Sequence, residues 1–361
     1  MTPKDAAWLT ISNIKCIGPA RWKKVFEIAG GDPELALTLN RSQLETCMSY
    51  ASADSLIKER ESVDTLRLLK DMEASGIQFV HIQDARYPKL LKEIHDPPLV
   101  LFYRGVLPAP DSLLLSIVGT RKITYYGREV TEKIISALTP HKIGIVSGLA
   151  IGVDALAHEQ ALNSGGYTIA IVPGGLDDAH LVPPRHVSLA RKIIENGGCV
   201  ISEFPPGSKT FKTSYPVRNR LIAGISKATI VVEAAIASGS LITARAALAE
   251  NRDVFAVPGP ITSPVSEGPN MLLKEGAIPL TNINDILETL GLVAPISSAQ
   301  DRSDLTETEK TLFEILSATP TLADDIARSL NLPAASVSST LTSLELKSAV
   351  RHVGSGYFVR A

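Results

Sequence analysis

An α/β chain built on a doubly wound, mostly parallel sheet is what this sequence predicts, and three observations carry the prediction. Short runs rich in Ile and Val recur between residues 112 and 290: LLLSIV (113–118), KIGIVSG (142–148), TIAIVPGG (168–175), CVISEF (199–204), ATIVVEA (228–234) and DVFAVPG (253–259). None alternates apolar with polar residues, so each reads as a strand buried on both faces, as in a parallel sheet covered by helices. Helical stretches separate the runs, and the runs lead into loops of Gly, Ser or Pro. Open α/β sheets bind their ligands beyond the carboxyl ends of such strands.

The rest of the chain divides around this core. Residues 1–110 are predicted to form a mostly helical module, with apolar positions spaced three and four apart in DSLIKERESVDTLRLLKDMEASG. Within it, Ile14-Lys15-Cys16-Ile17-Gly18-Pro19-Ala20 before a Lys-containing helix suits a helix-hairpin-helix turn whose amides meet a phosphate. A plain helical hairpin with a Gly turn fits equally well. A connector from Tyr87-Pro88 to Leu101-Phe102 ends in a strand. The Rossmann-like domain is placed at 111–290 and a small-residue linker at 291–304. From Leu305 to Ala361 come three helices and the hairpin VRHVGSGYFVR, which is winged-helix order.

Composition limits the function. The 361 residues carry 36 Lys and Arg against 38 Asp and Glu, a net charge of −2. Nucleic acid cannot be held by bulk positive charge, so anion binding must come from a few placed Arg residues and backbone N–H groups. Cys16, Cys47 and Cys199 are far apart in the sequence, which gives no zinc-ligand spacing and no disulfide framework. The N-terminus has no signal-peptide pattern, and Lys227, Glu233 and Arg245 interrupt the most apolar stretch. A soluble, cytoplasmic protein without metal or cofactor is the expectation.

Chemistry is sought in the loops after the strands. Gly119, Thr120 and Arg121 follow the first strand and precede a helix, an arrangement that can hold a phosphate on amides, hydroxyl and guanidinium. Taken alone, the loop is equally a tight turn with a surface Arg. Ser147, Gly148 and Gly152 form a second turn, leading into a helix with Asp154 and His158 on one face. With no nucleophile nearby, these two are read as bracing the loop rather than as an acid–base pair. Val172-Pro173-Gly174-Gly175 resembles the start of the PGGxGTxxE motif of nucleotide phosphoribohydrolases, but Leu176-Asp177-Asp178 follows and breaks it. Arg218, Asn219 and Arg220 sit where a Pro-led turn enters a helix, able to reach phosphates and a sugar or base edge. Lys209 and Lys212, beside Phe211 and Tyr215, add the cation-and-ring mixture that single strands favour. Ser238, Gly239 and Ser240 open a further helix, as a cap or as an anion site. No loop matches GxGxxG or a Walker A motif.

In this order the segments VGTRKITYYG, SGLAIGVDALAHEQAL, SEFPPG, YPVRNRLIAGIS, VVEAAIASGSLITARAAL, DVFAVPGP and GPNMLLKEGA resemble the DprA/Smf family. The resemblance implies a protein that is not an enzyme. It implies binding of single-stranded DNA in a basic pocket, homodimers formed through the Rossmann domain, and loading of RecA recombinase onto incoming DNA in natural transformation. Carried over by position, the pocket contains Gly119, Arg121, Ser147, Gly148, Arg218, Asn219 and Arg220. One departure is the loop after the PGG turn. It lacks the family's Tyr and runs on through Asp178 to Pro183, with Arg185 and His186 as substitutes.

Two rival functions follow from the same residues. The broken PGG motif argues against a phosphoribohydrolase. A winged-helix regulator needs basic residues on the third helix, and between Ala334 and Lys347 only Lys347 is basic. The module from Leu305 carries five Lys and Arg against six Asp and Glu, so it is not expected to be the main DNA grip.

Overall fold

Strand β1 (Gln78–His81) begins a nine-stranded sheet that continues through β2 (Val100–Gly105), β3 (Leu114–Val118), β4 (Gly144–Ser147), β5 (Thr168–Ile171), β6 (Cys199–Ser202), β7 (Ala228–Val231), β8 (Asp253–Ala256) and β9 (Ile278–Pro279). The computed structural model describes residues 2–292, 306–316, 321–330, 332–347, 349–354 and 356–360. Every apolar run named from the sequence contains one of the strands β3 to β8, and each of these is buried along nearly its whole length.

Strand order is β1-β2-β6-β5-β4-β3-β7-β8-β9. Neighbours from β6 to β9 pair in parallel, while β2 pairs antiparallel with β6 and β1 antiparallel with β2. From β3 the chain winds outward to β6 on one side, then returns to lay β7 against the other side of β3. Loops leaving β3 and β7 therefore diverge at a topological switch point, where such sheets leave a crevice.

The sheet reaches further toward the N-terminus than the sequence reading places it, because β1 and β2 fall before residue 110. Six helices precede them: α1 (Pro3–Asn13), α2 (Pro19–Ile28), α3 (Pro33–Thr38), α4 (Arg41–Glu45), α5 (Tyr50–Ser62) and α6 (Thr65–Ala74). Thr2 and Asp5 form a capping box on α1, and Asp32 and Asp64 cap α3 and α6; each such cap is worth about 1 kcal/mol. Trp8, Leu9, Trp22 and Val25 from these helices share one apolar cluster with Phe102 and Val200 of the sheet, with Val172 just after β5, and with Ile193 from a helix packed on it. Residues 1–290 accordingly make one compact unit.

Helix α7 (Lys89–Lys92) lies in the connector, and α8 (Tyr125–Leu138), α9 (Val153–Asn163) and α10 (Val187–Glu195) follow β3, β4 and β5. Helices α11 (Ser214–Ile225) and α12 (Gly239–Ala249) bury Leu221, Ile222, Leu241 and Ala244 against Val118, Val146 and Val231 of the sheet. Helices α13 (Glu267–Lys274) and α14 (Ile283–Thr289) close the unit.

The second unit holds α15 (Glu307–Ile315), β10 (Thr321–Leu322), α16 (Ala323–Leu330), α17 (Ala334–Leu346), β11 (Val350–Gly354) and β12 (Tyr357–Arg360). Its three strands pair antiparallel in the order β10-β12-β11, and Leu312, Ile326, Leu341 and Leu344 fill its core. This is a winged helix, as the element order predicts. Most of the expected linker at 291–304 lies outside the described residues.

Candidate nucleic-acid interface

A cleft of about 260 Å³ opens at the switch point between β3 and β7. Gly119 and Arg121 line it from the loop after β3, Ala150 and Asp154 from the start of α9, and Ser238, Gly239, Ser240 and Thr243 from the start of α12. Tyr215, Arg218, Asn219 and Ile222 complete it. Their spacing of three, one and three puts them on one face of α11. Positive ends of two helices, α9 and α12, thus border the same space.

Arg218 is the central group. It is 4% exposed, and its Nε is buried without a hydrogen-bond partner. No carboxylate stands within ion-pair range of it among the described residues; Asp154 is the carboxylate whose charge acts on it through space. Burial holds its pKa below the usual arginine value, against the attraction of Asp154. A buried guanidinium in this condition is costly for the fold and is stabilised by an anion entering the cleft. Gly148 makes room for it, because a Cβ there would lie 1.4 Å from the Arg218 Nη1.

Around Arg218 the other groups are fixed by local chemistry. The Asp154 Oδ2 accepts the Gly148 N–H at 3.1 Å, bracing the loop as its position suggests, and burial raises the carboxyl pKa. His158 is fully buried and joined to the Thr168 hydroxyl at 2.7 Å. Burial, aided by His186 and Arg218, takes its pKa to about 3, so it is a neutral prop under α9. Gly152 has φ 88°, and a Cβ there would meet the Thr120 carbonyl at 2.2 Å. That close approach lets the Val153 N–H donate to the Thr120 O at 3.2 Å and ties α9 to the β3 loop. Asn219 Nδ2 donates to the Gly239 carbonyl at 3.3 Å, and Ser238 Oγ accepts from the Ser240 N–H at 3.3 Å. The Arg121 guanidinium sits 5.9 Å from the Tyr215 ring centroid, near enough for a cation–π contact at the cleft mouth.

Other residues named from the sequence lie elsewhere. Arg220 is turned away from the cleft, ion-paired with Glu203 at 2.5 Å and donating to the Asp96 carbonyl. Residues two apart on a helix point about 200° from each other, so Arg218 and Arg220 cannot face one phosphate. Ser147 is fully buried and its hydroxyl donates to the Ile117 carbonyl at 2.6 Å, leaving it a structural role. The Thr120 hydroxyl accepts the Lys122 N–H at 3.1 Å and does not line the cleft. Lys209 and Lys212 are exposed outside the cleft, and Lys209 lines a separate groove. The Pro173–Gly175 turn is covered by protein, with Gly174 packed on Thr210 and the Gly175 N–H donating to the Ser208 O at 2.9 Å. In the N-terminal turn, Lys15 and Cys16 N–H groups donate to Glu59 at 2.6 and 3.2 Å, so a carboxylate fills the place expected for a phosphate.

Sequence reasoning missed two contributors. Thr243, one turn into α12, reaches the cleft, and its spacing from Ser240 was a usable signal. Glu233 is buried, and its carboxylate accepts the Thr124 N–H at 3.0 Å and packs on Gly127, anchoring the start of α8. Among the described residues no cluster of His, Cys, Asp or Glu could hold a metal, and no helix is long and apolar enough to cross a membrane.

The family model described as DNA recombination-mediator protein A matches residues 78–291, and the DprA winged helix domain matches 297–356. The chain belongs to the DprA/Smf family. It is 40% identical to protein Smf of Escherichia coli over 75% of this chain and 74% of that one. The solved structure of DNA processing protein A from Streptococcus pneumoniae has 33% identity and a TM-score of 0.68, covering 80% of this chain and 98% of that one. A Helicobacter pylori relative, solved to describe its single-stranded DNA binding mode, has 32% identity and a TM-score of 0.53 over 60% of this chain and 97% of that one. The matched span contains every residue of the cleft.

Proposed function

We propose that the chain binds single-stranded DNA in the switch-point cleft, acts without catalysing a reaction, and hands the strand to RecA recombinase during DNA uptake. One observation carries the reading: Arg218 is a buried cation without a hydrogen-bond partner on its Nε, held between two helix N-termini beside the half-buried Tyr215 ring. A phosphate is the anion that suits two helix ends and a guanidinium. Tyr215 and Arg121 then provide the flat surfaces on which an unpaired base stacks. Gly119, Asn219, Ser238, Gly239 and Ser240 shape the walls, while the exposed Lys212 serves the strand outside the cleft.

Duplex DNA is a poor fit for this site, because its bases are stacked and unavailable to Tyr215. The family supports the recombinase step and a homodimer through the Rossmann-like unit. Photocrosslinking with oligonucleotides carrying 5-iododeoxyuridine tests the site: crosslinks are expected at Tyr215. Crosslinks confined to the winged helix overturn it. Recombinase delivery is tested by filament growth on strands coated with a single-strand-binding protein, which the chain should accelerate; unchanged growth overturns that step. Light scattering should report twice the monomer mass, and a monomer at every concentration contradicts the dimer.

A further inference from the structure

The N-terminal turn has its starting amides filled by Glu59, but its side chains are open. Lys15, Arg21, Lys23 and Lys24 fall within ten residues that contain no acid, all are exposed, and none has an ion-pair partner among the described residues. In a chain of net charge −2 this is a local concentration of positive charge. Beside the turn runs a groove of about 530 Å³, bounded by the α1–α2 region on one side and residues 203–217 on the other. Lys15 lines it from the N-terminal turn and Lys209 from the 203–217 segment, together with the apolar Ile14, Ile17 and Leu99. Glu203 is the one carboxylate lining it, and Arg220 neutralises that group at 2.5 Å. Phe211, 64% exposed, lines the same groove.

The groove adjoins the cleft. Ser214 and Val217 line the groove while Tyr215 and Arg218 line the cleft, so the two sites occupy different faces of the first turns of α11. We propose that the groove is a second tract for the same single strand, with Lys15 and Lys209 taking phosphates across it and an unstacked base lying against Phe211 and the apolar lining. The inference rests on the cleft being a single-strand site. Charge complementarity and continuity with the cleft favour a nucleic-acid strand over an apolar peptide, which has no use for two lysines in the lining. The N-terminal helices thereby lengthen the DNA path beyond the Rossmann-like sheet.

Anisotropy titrations with oligothymidylates of about 5 and about 20 nucleotides, bracketing usual single-strand site sizes, separate the two sites. The Lys15→Ala/Lys209→Ala variant changes exposed side chains only, so it is expected to fold as the wild type does. On the longer strand it should lose affinity about tenfold, and the log–log salt slope should flatten by roughly 1.4, or about 0.7 per phosphate. On the shorter strand, which the cleft alone accommodates, affinity should be unchanged. An unchanged long-strand affinity, or an equal loss on both lengths, overturns the second tract. A wild-type chain that binds neither strand overturns the cleft reading, and the tract falls with it.

Discussion

Replacing Arg218 by Met separates what the residue does for DNA from what it does for the fold. Met keeps the apolar stem and removes the guanidinium, the group that lies against Gly148, so the change empties the anion-binding position while leaving the stem on α11 in place. A hydrogen bond to a charged group is worth about 1.5–3 kcal/mol, so one lost phosphate contact weakens binding by roughly 10- to 150-fold. The salt slope on single strands should fall by about 0.7. Stability should move the other way or not at all. The guanidinium is 4% exposed with its Nε unpartnered, and an ion in that state costs the fold several kcal/mol. Asp154 loses a favourable neighbour but keeps the Gly148 N–H, and its raised pKa already eases protonation. The assays are fluorescence anisotropy across a salt series and thermal unfolding without DNA. Wild-type affinity in the variant, or a stability loss beyond about 3 kcal/mol, would refute the reasoning, because Arg218 would then be a structural cation rather than an anion receptor.

Four further outcomes follow from the same geometry. Arg220→Ala should lower stability by about 1–3 kcal/mol by leaving Glu203 and the Asp96 carbonyl unpaired, while the folded protein keeps its single-strand affinity; unfolding and anisotropy curves read both. Gly148→Ala should displace the Arg218 side chain and weaken binding at least tenfold, which the same titration measures. A chain ending at Leu290 should retain most single-strand affinity, since the removed segment is net acidic; a loss above about tenfold in a folded, dimeric protein would place the DNA in the wrong unit. Glu309 bonds Lys347 at 2.8 Å and Ser343 at 2.7 Å, and chiefly the Lys347 contact brings its pKa to about 2. Its folded pKa lies below the ordinary glutamate value of 4.5, so its contribution is present above that pH and is lost as pH falls toward 2; Glu309→Gln should flatten this part of the winged helix's acid unfolding curve.

Legibility in the sequence followed the strength of the physical constraint. Strands β3 to β8 could be read because burial on both faces leaves little but Ile, Val and Ala available. Strand β1, with the mixed burial of Gln78–His81, gave no such signal, and its place was set by pairing with β2 in three dimensions. Three of the loops named from the sequence meet at one cleft, since strand ends converge wherever the sheet is parallel. Which of their side chains face it is a matter of three-dimensional geometry. Arg220 beside Arg218 looks like a second phosphate ligand in one dimension, yet the helical turn delivers it to Glu203. Thr120 and Ser147 carry hydroxyls that suit an anion, but backbone groups a few ångströms away claim them first. Only the folded chain reveals that Glu59, 44 residues from Lys15, occupies the N-terminal turn.

The central claim, a cleft for unpaired DNA, is tested most directly by competition. A labelled oligothymidylate is bound to the purified full chain, and unlabelled single-stranded and double-stranded DNA of equal length are titrated against it at fixed salt. The account predicts that the single strand displaces the probe at concentrations at least tenfold lower than the duplex, and that Arg218→Met narrows this preference. Equal displacement by duplex, with the preference untouched in the variant, would contradict it.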